Sequence, residues 1–71
     1  MKPTNDLLTL AGLGVNLILD AEQKPTTDLI QIAGIIKMKS AHLTIKNASK
    51  KPLADLMQIC SVCQGNITFE F

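Results

Sequence analysis

Residues 24–35 read KPTTDLIQIAGI, and two other stretches of the chain follow the same pattern: KPTNDLLTLAGL at 2–13 and KPLADLMQICSV at 51–62. Lys, Pro, Asp and the Leu after it are identical in all three stretches, and the later positions keep their polarity. The stretches begin at residues 2, 24 and 51, hence 22 and 27 residues apart, a period typical of repeating structural units. The sequence therefore predicts a single domain, 1–71, made of three repeats at about 2–23, 24–50 and 51–71.

Each repeat is predicted to begin with a helix. A proline such as Pro25 suits the first helical position, and Asp28 places a negative charge near the positive end of the helix dipole. Gly14 and Gly65 stand where a left-handed C-cap is expected, whereas the second helix lacks such a glycine and is predicted to continue through Lys39. Apolar residues at i, i+3, i+4 and i+7 predict one buried helix face in the second and third repeats: Leu29, Ile32, Ala33, Ile36, and Leu56, Ile59, Cys60, Cys63.

Each helix is followed by a short run in which apolar and polar residues alternate, as in a strand with one buried face. The order αβαβαβ predicts parallel strands joined by right-handed crossovers. Because the strands alternate rather than read as continuous apolar runs, helices are expected on one face only. The predicted fold is α/β, a small solenoid-like layer of three parallel strands with helices on one face. The core-facing strand residues are Leu17, Leu19, Ala21, Leu43, Ile45, Ile67, Phe69 and Phe71.

Size and composition exclude several classes of protein. The chain has 71 residues, a net charge of +1, 46% hydrophobic residues and 18% charged residues, which is typical of one folded domain. It is too small for a closed active site and carries no nucleophile or acid–base constellation, so we expect no enzyme and no cofactor. A core of this size is marginal alone, which favours self-association. Two cysteines make a poor disulfide framework, and a cytoplasmic location is expected.

The open face of the predicted sheet is the leading candidate for an interaction surface. Its outward residues form three columns across the strands, and the last column alternates in charge, which would fix the strand register. This pattern predicts a non-enzymatic protein–protein interaction or assembly module, acting through the open face or the sheet edge. The columns are Asn16–His42–Asn66, Ile18–Thr44–Thr68 and Asp20–Lys46–Glu70.

The C-terminal strand is the predicted dimer edge. No polar helix or loop follows Phe71 in the sequence to cover that edge, and uncapped strand edges pair with other strands. Two copies related by a two-fold axis are expected to pair their third strands antiparallel, which brings Ile67, Phe69 and Phe71 of both chains together. Pairing through the first strand is disfavoured, because Asp20 and its copy would place like charges at that edge.

A lysine-rich segment supports a second hypothesis. Residues 37–51 contain five lysines and no acid, which is typical of nucleic-acid or anion binding through phosphate contacts. The sequence has no Arg for bidentate contacts and no exposed aromatic residue for base stacking, so nucleic acid is the less favoured partner. The lysines are Lys37, Lys39, Lys46, Lys50 and Lys51.

The Cys60-Ser61-Val62-Cys63 segment supports a third hypothesis, a small thiol or zinc protein. A redox pair would place its first Cys at a helix N-terminus, whereas both cysteines fall late in the predicted helix. They align with Ala33 and Ile36 of the second repeat, which favours packing, and only His42 remains as a further zinc ligand. We therefore predict no metal site, and His42 is interpreted as a solvated surface residue.

Overall fold

Within residues 3–71, three α-helices and three strands alternate, which confirms the α/β prediction. The computed structural model describes residues 3–71, so Lys2, the first residue of the first repeat, lies outside the described residues. A short 3₁₀ helix at Ala48–Lys50, which the sequence pattern did not predict, follows the second strand. The elements are α1 (Thr4–Gly12), β1 (Leu17–Asp20), α2 (Thr26–Met38), β2 (Leu43–Lys46), α3 (Leu53–Val62) and β3 (Ile67–Phe69).

The strands form one parallel sheet in the order β1-β2-β3. Its register places Ile18 opposite Thr44 and Thr44 opposite Thr68, and Asp20 opposite Lys46. Strands that are consecutive in sequence are therefore neighbours in space. The helices follow the same order, because α1 packs on α2 and α2 packs on α3.

The hydrophobic core lies between the helices and one face of the sheet. All four residues of the predicted α2 face are fully buried, and so are Leu43 and Ile45 on the middle strand. On the opposite face of the sheet, Ile18 is 68% exposed. The alternation read from the sequence thus separates a buried face from an open face. The α3 face is buried at Leu56, Ile59 and Cys63, whereas Cys60 is only half-buried.

The prolines stand one residue earlier than predicted, at the N-caps rather than at the first helical positions. Pro25 has an extended backbone (φ −66°, ψ 157°), and its carbonyl accepts the N–H groups of Asp28 and Leu29 at 3.1 and 3.2 Å. Pro3 and Pro52 do the same in their helices. An extended proline can begin the helical bonds without donating an N–H group of its own, which is why it fits this position.

A left-handed glycine follows α1 as predicted, because Gly14 comes directly after the C-cap Leu13 and has a φ of 83°. Gly65 also has a positive φ, 77°, but it lies two residues after the α3 C-cap Cys63, in the turn that the N–H of Asn66 closes on the carbonyl of Cys63.

Helix α2 ends at Met38, one residue before the predicted end, because Ser40 adopts the left-handed conformation (φ 57°) that glycine adopts elsewhere. The N–H of Ala41 then reaches the carbonyl of Ile36 at 3.0 Å, which closes the helix.

The third strand is shorter than its alternation predicts, since β3 ends at Phe69. The backbone pairing nevertheless continues, because the N–H of Glu70 donates to the carbonyl of Ile45 at 2.9 Å and its carbonyl accepts the N–H of Ala48. Within residues 3–71, none of the helices is both long enough and apolar enough to cross a lipid bilayer.

Two hydrogen bonds join the helices near their N-termini. The hydroxyl of Thr4 donates to Asp28 at 2.7 Å, and the hydroxyl of Thr26 donates to Asp55 at 2.9 Å. We call these the Thr–Asp bonds. Each joins one repeat to the next through equivalent positions. Leu53 occupies the threonine position in the third repeat and has no hydroxyl to donate.

Candidate interaction surfaces

The open face of the sheet carries the nine predicted residues in the predicted columns as far as the strands extend. The middle column is complete, whereas Asn16 and Asn66 precede their strands and Glu70 follows β3. Exposure varies across the face: Ile18, Lys46 and Thr68 are exposed, while Asp20 and Thr44 are half-buried.

Polar residues on this face bond to one another more than the sequence suggested. The imidazole Nε2 of His42 lies 2.7 Å from the hydroxyl of Thr68 on the neighbouring strand. Thr68 comes two residues after Asn66, which shares a column with His42. The backbone N–H of His42 donates to the side-chain oxygen of Asn16 at 2.9 Å. Asn66 donates its amide to the carbonyl of Ala41 at 2.7 Å. Much of the polar capacity of the open face is therefore already used within the chain.

In the column Asp20–Lys46–Glu70, the carboxylate of Asp20 bonds to residues other than the lysine opposite it. The register places Asp20 opposite Lys46, but the Asp20 carboxylate accepts the backbone N–H of Glu22 at 2.8 Å and the side-chain amide of Asn47 at 2.9 Å. Both carboxylate oxygens are thus engaged at the end of β1. The alternation pattern predicted no role for Asn47. Its left-handed backbone (φ 56°) turns the chain directly after β2, next to the end of β1.

The predicted dimer edge lies at the C-terminal side of the sheet. Ile67 and Phe69 are half-buried and pack against the core, whereas Phe71 is 79% exposed. The rings of Phe69 and Phe71 are 6.3 Å apart at an interplanar angle of 58°. This spacing is typical of an aromatic pair, so the exposed ring extends the apolar surface of the core to the sheet edge.

The outer face of α3 is a second apolar surface on the same side, which the sequence pattern did not single out. Leu53 is 72% exposed and Met57, one turn later, is 62% exposed. They occupy the positions that Thr26 and Ile30 hold in α2. The repeat alignment contained this signal, because an apolar residue replaces a threonine there.

The lysine-rich segment is split between two ends of the molecule. Lys37 and Lys39 lie at the C-terminal end of α2, while the ammonium of Lys51 donates to the carbonyl of Lys24, just before the N-terminus of α2. A helix of 13 residues is roughly 20 Å long, which separates the two groups. Lys37 also serves the fold, because its ammonium donates to the carbonyl of Gln64 at 2.7 Å and to Asn66 at 3.1 Å.

The two cysteines lie at the end of α3 as free thiols. Cys63 is fully buried, and its Sγ lies 3.5 Å from the carbonyl oxygen of Asn66. Burial raises the pKa of the Cys63 thiol, and the Lys37 ammonium offsets part of that rise. Within residues 3–71, no three His, Cys, Asp or Glu side chains come together in a way that could hold a metal ion.

No protein-family model, curated protein or solved structure matches this chain.

Proposed function

We propose that this chain is a non-enzymatic assembly module that forms a homodimer through the edge of β3. The observation that supports this most strongly is the apolar, unpaired C-terminal edge, where Phe71 is 79% exposed. In this proposal the three repeats act as a small solenoid-like layer. Exposed edge strands of such layers are prone to pair with further strands, and a second copy covers the edge of β3.

The backbone of β3 supports pairing with another strand. On either side of β3, the carbonyl of Asn66 accepts the N–H of Leu43, and Glu70 bonds to the second repeat through both its N–H and its carbonyl. Because bonding direction alternates along a strand, the N–H and C=O groups of Ile67, Phe69 and Phe71 point away from β2. Such a row of outward groups is a template for a further strand.

The side chains along the edge favour a copy of the same strand as the occupant. Ile67, Phe69 and Phe71 all lie on the helix-facing side, so an antiparallel partner places the same apolar residues beside them. Burying a phenylalanine ring removes a large area from contact with water, on the order of 150 Å² or more. Among residues 67–71, Glu70 is the only one with a charged side chain, and it lies on the opposite side of the strand.

The β3 edge is a better interface than the open face of the sheet. On the open face, His42 and Thr68 bond to each other, and Asp20 bonds to Asn47. A partner there would have to compete with these bonds, whereas the edge offers unpaired groups. A cytoplasmic location suits this proposal, since Cys60 and Cys63 are free thiols that a reducing compartment would preserve.

The test is the mass of the protein in solution, measured by light scattering and sedimentation from low micromolar to near-millimolar concentration. We expect twice 7.7 kDa at the high end for the unaltered chain. Phe71→Lys, at an exposed position, should remain monomeric. Ile18→Lys is the matched control, because Ile18 is 68% exposed but lies on the open face. A monomer at every concentration, or dimerisation lost only in Ile18→Lys, would contradict the proposal.

A further inference from the structure

The three helices present equivalent faces toward the C-terminal end of the fold, but only two of those faces are covered. Thr4 of α1 bonds to α2, and Thr26 of α2 bonds to α3. One turn after each threonine, Leu8 and Ile30 are half-buried and pack against the core. On α3 the corresponding residues, Leu53 and Met57, are 72% and 62% exposed. The helix face that carries a half-buried apolar residue in α1 and in α2 is therefore exposed in α3.

We propose that Leu53 and Met57 on α3 join β3 in a two-layered interface, so that two copies meet C-terminal end to C-terminal end about one two-fold axis. This inference rests on the proposed self-association. It adds the helical layer to the interface and excludes head-to-tail stacking, in which β3 of one copy would pair with β1 of the next. The assembly then closes at two copies and does not extend into a filament.

The missing hydroxyl on α3 argues against head-to-tail stacking. In such a stack, α1 of the next copy would pack on α3 as α3 packs on α2, and Asp6 would take the position of Asp55. Asp28 and Asp55 each receive a threonine hydroxyl there, but Leu53 has none to give. A carboxylate brought against leucine loses water and gains no donor, which is unfavourable.

A second copy of the same end offers Leu53 and Met57 an apolar surface instead. In the two-fold arrangement the two α3 helices run antiparallel on the same side of a continuous six-stranded sheet. Met57 then lies near its own copy, and the first turn of each helix lies beside the last turn of the other. No carboxylate is placed against Leu53, because Asp55 faces α2 and remains bonded to Thr26.

The positions of Met57 and Phe69 along the third repeat agree with a single axis through both layers. Met57 lies five residues before the end of α3, and at 1.5 Å per residue that is about 8 Å from the helix end. Phe69 lies two residues after the start of β3, which is about 7 Å from the same end of the repeat. Met57 and Phe69 therefore lie at similar heights along the repeat, as a single axis perpendicular to the sheet requires.

The same axis gives β3 a consistent antiparallel register. With Phe69 opposite its own copy, Ile67 lies opposite Phe71 of the other chain. All three residues have their N–H and C=O groups directed outward, so every one of them falls in a hydrogen-bonded pair. A register shifted by one residue would set Phe69 opposite Glu70 of the other chain. The N–H and C=O groups of Glu70 already bond within their own chain, so these hydrogen bonds would not form.

Two leucines of equal exposure at opposite ends of the helical layer allow a direct test. Leu53 is 72% exposed on α3, and Leu13 is 73% exposed at the end of α1. We would prepare Leu53→Glu and Leu13→Glu, confirm by circular dichroism that both are folded, and measure their masses alone and in a 1:1 mixture with one variant tagged. Leu53→Glu should weaken the dimer by about 100-fold or more, since the loss occurs once per copy. Leu13→Glu should dimerise like the unaltered chain, and a mixed dimer should be weaker than the Leu13→Glu dimer, because one of its two copies carries the Leu53 change.

Head-to-tail stacking predicts the opposite pattern. Each variant alone would then be monomeric, because each lacks one of the two ends that a stack joins, and only the mixture would form a mixed dimer. That result, or dimerisation of Leu53→Glu at unchanged affinity, would overturn the inference while leaving self-association intact. If the unaltered chain is itself monomeric, both the inference and the proposed function fail. The labelling rate of half-buried Cys60 by a maleimide gives a second readout, since it should fall on dimerisation in the unaltered chain and not in Leu53→Glu.

Discussion

Replacing Thr26 with valine removes the hydroxyl of one Thr–Asp bond and keeps the shape of the side chain. Thr26 and Asp55 are both half-buried, and the hydroxyl lies 2.9 Å from the carboxylate oxygen that accepts it. In Thr26→Val the Asp55 carboxylate loses this donor, while water reaches the site only in part. We therefore expect α3 to be held less tightly against α2.

The size of the loss follows from the burial of the pair. A hydrogen bond to a charged group contributes about 1.5–3 kcal/mol to stability when it is well buried. Partial exposure reduces this, because water replaces some of the lost interaction, and about 1 kcal/mol is expected here. In a domain of this size that corresponds to a fall of roughly 4–8 °C in Tm.

Thr27→Val is the matched control, because Thr27 is the next residue of α2 and is exposed. Both changes alter helix propensity equally, so the difference between their urea midpoints, followed by circular dichroism, reports the bond. A double-mutant cycle with Asp55→Ala should give a coupling energy of about 1 kcal/mol. Equal midpoints for the two valine variants, or a coupling energy near zero, would refute the reasoning.

Three further outcomes are expected. Gly65→Ala should lower stability by about 1 kcal/mol in urea unfolding because φ is 77° there, whereas Gly34→Ala should raise it by about 0.5–1 kcal/mol, since an added Cβ meets no heavy atom within 4 Å; the opposite ranking would contradict the backbone assignment. Burial raises the pKa of Cys63 above its ordinary 9.0, so the unfolded thiol ionises first and stability should fall as the pH rises past about 9. Cys63→Ala should show a shallower fall over this range, and an unchanged slope would show that the thiol is not protected. In gel shifts with duplex DNA over a salt series, the separated lysines should give no steep gain in affinity at low salt, and a gain lost in Lys39→Ala plus Lys46→Ala would favour the nucleic-acid hypothesis.

The repeat predicts most of the fold because local chemistry determines it. Period-two alternation on the strands and the 3.6-residue period on the helices each separate a buried side from an exposed side. Burial follows these patterns at Leu29, Ile36 and Ile45. The register agrees with the columns read from the strand alternation, since Ile18 and Thr44 lie opposite each other.

The details that the sequence did not predict depend on side chains distant in sequence or on unusual backbone conformations. Ser40 and Asn47 adopt left-handed conformations that residue type alone only weakly suggests. The Thr4–Asp28 bond joins residues 24 positions apart, so no local pattern reveals it. The structural roles of Lys37 and Lys51 likewise depend on carbonyls in other repeats. The sequence therefore predicts one charged segment, whereas in the structure its lysines lie at two ends of the molecule.

The strict neighbour order of the sheet has a consequence during synthesis on the ribosome. Each strand pairs only with the strand made just before or just after it, and paired residues are 24 to 26 positions apart. At about 5–20 residues per second, a segment of that length takes roughly 1–5 s to emerge. Small α/β domains mostly fold in well under a second. The first two strands therefore have time to pair before the third is available, and the outer side of β2 is briefly the growing edge of the nascent sheet. Neighbouring ribosomes on one message would expose the same edge at the same stage, so slow translation between residues 46 and 67 would favour mispaired chains.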